Sequence, residues 1–202
     1  MPVRFRSHLT QTMTTPRIIL ASASPRRREL LDQLGMDYQV WPAELEECPG
    51  ADETPEAYVA RIAQEKSAAV WQRSGADKPV LAADTEVELD GMIFGKPENY
   101  AHAREMLERL SGRTHRVLSG VSLRGVQGHA TCLSISQVTF KPLSSDEIAA
   151  YWDSREPLGK AGAYAIQGHG ARFISHLTGS YSGVVGLPLY ETAELLTRWG
   201  LL

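Results

Sequence analysis

Apolar residues fall alternately into short solid runs and helix-spaced stripes. Ile18-Ile19-Leu20-Ala21 is a solid run that reads as a buried strand, and Leu30, Leu31 and Leu34 follow at helical spacing. Between them Ser22-Ala23-Ser24 turns the chain. Ser24 is a good N-cap, and Pro25 stands where a helix needs no donor. Tyr38, Val40 and Trp41 predict a short strand. Thr54-Pro55 caps a second helix running to about Trp71, with Tyr58, Ile62 and Ala69 at helical spacing. Val80–Ala83 reads as a short buried strand ending at Asp84-Thr85. Glu86, Glu88 and Asp90 then alternate with Val87 and Leu89, a pattern with one wet face. Asp90-Gly91 predicts a hairpin into Met92-Ile93-Phe94. Asn99 caps a helix from Tyr100 to Leu110, and two strands follow, Val117 to Leu123 and Ala130 to Phe140. A capping box at Ser144–Glu147 opens another helix, a strand resumes at Phe173-Ile174, and a helix from Tyr190 to Trp199 closes the chain. Strands and helices intermingle throughout, which predicts an α/β or α+β protein with a mixed sheet.

Composition narrows the setting. A chain of 202 residues suits one domain, with or without two lobes, and buries enough core to need no disulfide framework. A formal charge of -3 describes an ordinary soluble protein with no pull toward nucleic acid or a membrane surface. Cys48 sits in an acidic Pro/Gly segment and Cys132 in a strand-like run, so neither a redox pair nor a metal site is expected. Reduced thiols of the cytoplasm are the default. No apolar stretch approaches the ~20 residues of a membrane span. Residues 1–16 are polar and basic without the apolar centre of a signal peptide, and are expected to form a disordered tail. Met13 is a candidate start, and residues 17–202 are expected to form the catalytic domain.

The candidate chemistry is that of a polyanion and a divalent cation. A strand running into a helix N-terminus favours an anion. Ser22 and Ser24 add hydroxyls there, and Arg26, Arg27 and Arg28 add charge. Those arginines oppose the helix dipole, so either a bound polyphosphate or nearby acids such as Glu29 must compensate them. Glu44, Glu46 and Glu47 lie in a loop, as solvated surface or as ligands. Lys66 is as compatible with surface as with function. Asp84 follows an apolar strand, where α/β proteins place ligand-binding groups, although a cap or turn would use it too. Pro97 holds Lys96 extended at a bend. Glycines at 159, 162, 168 and 170 allow either close approach to a ligand or sharp turns. HExxH, GxxxxGK[ST] and GxSxG are absent, and the histidines lack metal-ligand spacing, His115 reading as structural or surface rather than as a ligand. Asp84, Glu46 and Glu47 are therefore candidates for Mg²⁺ or Mn²⁺, and Ser22, Arg26, Arg27, Lys66 and Lys96 for phosphate.

Five ordered motifs resemble the Maf family of nucleoside triphosphate pyrophosphatases. They are Ser22–Leu31, Ala83-Asp84-Thr85 with Gly95-Lys96-Pro97, Ser111–His115, Lys160–Gly168 and Val185–Pro188. The resemblance covers about residues 17–200. It implies an elongated mixed β-sheet with flanking helices and two lobes around a cleft, similar to inosine triphosphate pyrophosphatases, in a homodimer. It also implies hydrolysis of nucleoside triphosphates to the monophosphate and pyrophosphate with a divalent cation, and an association with septum formation. The family's proton acceptor falls on Asp84, its first-loop serine and arginine on Ser22 and Arg27, its acidic loop residue on Glu47, and its lysines on Lys66 and Lys96. Glu47, with Asp84, would hold the metal. Base choice falls on Arg26, Thr85 and Gln167. These match the branch acting on dTTP and UTP rather than the 7-methyl-GTP branch, which has Trp, Gln and Glu there. A glutamine offers donor and acceptor together, as the imide edge of thymine or uracil requires.

One departure stands out. The family usually continues Ala-Asp-Thr with an apolar pair, whereas here Glu86 precedes Val87. On a strand, residues 84 and 86 share a face, where repulsion would raise one pKa or recruit metal; a turn after Asp84 would separate them. The alternative to an enzyme is a non-catalytic nucleotide-binding regulator of cell division. Retention of Asp84, Lys66 and Lys96 argues against it.

Overall fold

The computed structural model describes residues 17–202, so the tail over 1–16 and the candidate start at Met13 lie outside the described residues. Among the described residues seven strands form one mixed sheet: β1 (Ile18–Leu20), β2 (Tyr38–Val40), β3 (Val80–Leu89), β4 (Met92–Phe94), β5 (Thr114–Gly125), β6 (Gly128–Phe140) and β7 (Ile174–Thr178). The order is β2-β1-β3-β5-β6-β7, with β4 paired to β3 beside that path. The helices are α1 (Pro25–Asp32), α2 (Pro55–Arg73), α3 (Tyr100–Leu110), α4 (Ser145–Asp153), α5 (Tyr181–Val185) and α6 (Leu189–Arg198). The α/β class and mixed sheet match the expectation.

β3 departs from the sequence reading. It does not end at Asp84 but continues to Leu89, because β5 pairs with it antiparallel from Val80 to Glu88 and supplies ladder bonds throughout. Its other edge is shared. β1 runs parallel to it at Val80 and Leu81, and β4 antiparallel at Val87 to Leu89. Among the described residues, 82–86 have no strand partner on that side. This gap in the sheet is where the chain leaves β1 through Ser22. β5 and β6 likewise extend past their predicted ends, to a tight turn at Val126-Gln127.

Alternation along β3 sorts its side chains. Leu81 and Ala83 join one apolar cluster with β1, α1 and α6, while Val87 and Leu89 join another with α3, α4 and Phe140. Thr85 falls at the seam between them. On the opposite face Val80 and Ala82 pack beneath α2, followed by Asp84, Glu86 and Glu88, all buried. Gly120, opposite Asp84 on β5, lets α2 come close, since a Cβ there would lie 2.8 Å from the Val59 carbonyl oxygen. His115 is buried against Phe140 and bonds the Tyr164 hydroxyl through Nε2 at 2.8 Å, a structural role as expected. Among the described residues no helix is long and apolar enough to cross a membrane.

Candidate active site

A cleft of about 480 Å³ opens at the gap in the sheet. Because it wraps around a free strand edge, both faces of β3 contribute. Asp84 and Glu86 enter from the α2 side and Thr85 and Val87 from the other. Ser22, Arg26, Arg27, Glu47, Lys66, Asp84, Thr85, Lys96 and Gln167 all line it, so the structure brings together every residue singled out by the family resemblance.

The α2 side is acidic. Lys66 is buried at mid-helix and its Nζ donates to Asp84 Oδ1 at 2.7 Å, with Glu47 Oε1 at 2.8 Å. The loop of three glutamates thus sends Glu47 inward and leaves Glu44 and Glu46 exposed. Arg61 pins that loop, its guanidinium donating to the Cys48 carbonyl at 3.0 Å and to both oxygens of Glu53. Glu86 shares the face with Asp84, as strand alternation requires. Asp84 is 3% exposed and Glu86 7%, yet Asp84 Oδ2 and Glu86 Oε2 have no hydrogen-bond partner among the described residues. Burial, with the neighbouring Asp84 and Glu47 charges, pushes the Glu86 carboxyl up to about 8 despite Lys96 and Lys66. For Glu47, burial acts in the opposite direction but the bond and charge of Lys66, with Lys96 and Arg27, hold its carboxyl below the ordinary value.

This set of residues fits a divalent cation. Glu47, Asp84 and Glu86 each offer an oxygen, all within 4.8 Å of one another. Buried unpartnered carboxylate oxygens are costly unless something charged completes them, and hard oxygen donors suit Mg²⁺ or Mn²⁺.

The other wall is cationic. Ser24 caps α1, accepting from Arg27 N–H at 3.4 Å, and the helix start presents Arg26 and Arg27 to the cleft. Arg27 donates to the Gly186 carbonyl at 2.8 Å, and to Ser22 Oγ and Thr85 Oγ1 at 3.4 Å each. Thr85 is further tied to Ser119 Oγ at 2.9 Å. Burial lowers the Arg27 pKa, opposed by Asp84, Glu47 and Glu86. Lys160 joins this wall, a residue the sequence marks only as part of a motif. Its signal was a lone cation between small residues, Gly159 and Ala161. Burial and the charge of Arg26 lower the Lys160 pKa. None of Arg26, Arg27, Lys96 and Lys160 pairs with a carboxylate within 4 Å among the described residues, although three acids stand nearby. Such a cleft accommodates a polyanion together with a cation.

The chain is similar to known proteins over nearly all of its described length. The Maf-like protein family model matches residues 17–199. A dTTP/UTP pyrophosphatase of Methylococcus capsulatus is 58% identical over 185 residues, covering 92% of each chain. One from Alkalilimnicola ehrlichii is 52% identical over 189 residues, covering 91% of this chain and 93% of that protein. A nucleoside triphosphate pyrophosphatase of Xylella fastidiosa is 54% identical over 185 residues, covering 90% and 98%. A solved structure, a nucleoside-triphosphatase / dITP/XTP pyrophosphatase of Mycobacterium abscessus, aligns over 90% of this chain and 94% of that one at 16% identity and TM-score 0.44.

Proposed function

The chain belongs to the Maf-like protein family, and on that premise we propose that it hydrolyses dTTP and UTP to the monophosphate and pyrophosphate. The observation that carries this reading is the opposition of two buried carboxylates and the half-buried Glu47, two of their oxygens unpartnered among the described residues, to a wall of cations that there have no carboxylate partner. Residues 17–202 act as one two-lobed catalytic unit, taken as a cytoplasmic homodimer.

In this reading the triphosphate lies along Ser22, Arg27, Lys66 and Lys96, which neutralise its charge and that of the leaving group. Asp84 is the general base. Lys66 holds its Oδ1, and Oδ2, without a hydrogen-bond partner among the described residues, takes a proton from the attacking water. The water oxygen bonds to the α-phosphorus, the bond from that phosphorus to the bridging oxygen breaks, and pyrophosphate departs with the electron pair. Glu47, Asp84 and Glu86 would hold the divalent cation. When bound, it withdraws charge from phosphate oxygens and lowers the pKa of water. Gln167, Thr85 and Arg26 select the base. Gln167 is exposed at the cleft rim and meets the imide edge, whereas Thr85 works beside Arg27, to which it is bonded.

The test is kcat/KM for UTP, dTTP, CTP, GTP and 7-methyl-GTP with Mg²⁺ and then Mn²⁺, phosphate being read with and without added pyrophosphatase. UTP and dTTP should lead, with phosphate appearing only after pyrophosphatase is added. Gln167→Glu should lower the preference for UTP over 7-methyl-GTP about 5–150-fold, through a lost polar contact and a repelled carbonyl. A wild-type preference for 7-methyl-GTP would overturn the base assignment. Nucleotide binding without turnover would favour the regulator instead.

A further inference from the structure

Gln167 is exposed, yet the backbone on either side of it is held by two side chains that never enter the cleft. Glu156 follows α4. Its Oε2 accepts from His169 N–H at 2.8 Å, and its Oε1 from Gly170 N–H at 2.9 Å and from the Tyr151 hydroxyl at 2.7 Å. The same hydroxyl accepts from Ala165 N–H at 3.1 Å. One phenol–carboxylate pair therefore grips the segment at 165 and again at 169–170, with Gln167 at the apex. The grip is anchored, because Tyr151 is fully buried and packs edge-on against Phe173 with ring centroids 5.0 Å apart. Gly168 and Gly170 are shaped to it. A Cβ at Gly168 would lie 2.1 Å from Glu156 Oε2, and one at Gly170 would lie 2.7 Å from the Tyr151 hydroxyl oxygen. Those two glycines admit an internal carboxylate and phenol.

We infer that Glu156, acting with Tyr151, is the positioning residue for base selection: it fixes the 165–170 segment so that Gln167 meets the nucleobase with its amide already oriented. This rests on the base-selection reading above. Three donors converge on the carboxylate: two backbone N–H groups and one hydroxyl. A glutamine has a single acceptor oxygen and turns an NH₂ toward one of those donors, so Glu156→Gln keeps the volume and breaks the grip. Freedom gained by the loop must be lost again on binding, which raises KM for the nucleotide that uses Gln167.

The experiment measures kcat/KM for UTP and GTP in wild type, E156Q, Y151F, Q167A and the E156Q/Q167A double variant, with hydrogen exchange of amides 165–170. Y151F keeps the buried ring and removes only the hydroxyl, in case E156Q fails to fold. E156Q and Y151F should each lower the UTP:GTP ratio roughly 5–50-fold. The loss should fall in KM for UTP while kcat stays within about threefold. Exchange of the Ala165, His169 and Gly170 amides should accelerate. In the double variant the ratio should match that of Q167A, since residues acting through one contact are non-additive. A UTP:GTP ratio unchanged within about twofold in E156Q and Y151F, equal losses on both nucleotides, or multiplying losses in the double variant would overturn the inference. A wild-type enzyme with no pyrimidine preference would overturn it together with the reading on which it rests, and the wild-type ratio distinguishes the two failures.

Discussion

Three carboxylates stand at alternate positions on one face of β3, and they meet different fates. Glu88 lies opposite Arg116 on β5, and is closed by the Arg116 guanidinium on one oxygen and by Gly91 N–H on the other. Glu86 lies opposite Leu118 and Asp84 opposite Gly120, neither of which offers a charge. All three are buried, yet among the described residues the two facing the gap keep an unpartnered oxygen each. The cross-strand neighbour thus separates a structural ion pair from a site. A carboxylate answered on both oxygens by its own fold is spent on stability, and one left with an open buried oxygen requires something from outside.

The comparison breaks most readily at Asp84. Asp84→Asn keeps the shape and the neighbours while losing charge and basicity, so turnover should fall ~10²–10⁴-fold with melting temperature retained. A folded D84N enzyme within about twofold of wild-type turnover would remove Asp84 from the role of base.

Glu86→Gln comes next. Mn²⁺ affinity without nucleotide, followed by electron paramagnetic resonance or calorimetry, should weaken about 10-fold or more, because one of three anionic ligands is gone. Glu88→Gln should leave that affinity unchanged, since Arg116 already engages Glu88. Equal effects of the two variants would erase the distinction between the two ends of the strand.

Stability against pH sharpens the same contrast. The folded Glu86 carboxyl is pushed up from 4.5 to about 8. Between those values the native state holds a proton that the unfolded chain has released, so metal-free stability falls as pH rises through that window and levels off above it. Melting curves from pH 4.5 to 8 should show this decline in wild type and a flatter profile in E86Q. Saturating Mg²⁺ should restore the loss at the alkaline end, because a ligand bound only by the native state stabilises it. A steep decline that persists in E86Q would assign it to another group.

The smallest effect belongs to Glu88→Gln. Arg116 keeps Glu56 as a second partner and the amide still accepts one bond, so the cost should be about 1–2 kcal/mol, a drop of a few degrees in melting temperature. No measurable cost would make the ion pair incidental.

Much of this was legible in one dimension. The run 18–21, the Ser24-Pro25 cap, the Asp90-Gly91 turn and the helix stripe of Ala103, Met106, Leu107 and Leu110 each depend on neighbours within a turn or two, where local sterics and burial decide. The ordered motifs identified the family, whereas alternation puts Asp84 and Glu86 on one face only if the strand runs on past Asp84, which the sequence left open. The residues that meet at the cleft were a different matter. Only the pairing of β3 with β5 extends the strand past Asp84, and only the partition of its other edge between β1 and β4 opens the gap. Lys66 looked no different from a surface lysine until Gly120 let α2 descend on the sheet, and Gly168 no different from a turn glycine until Glu156 was found beneath it. These outcomes turn on contacts between residues tens of positions apart. Periodicity records which face of an element is apolar, but register and cross-strand partners decide which buried charges the fold answers and which it leaves for a ligand.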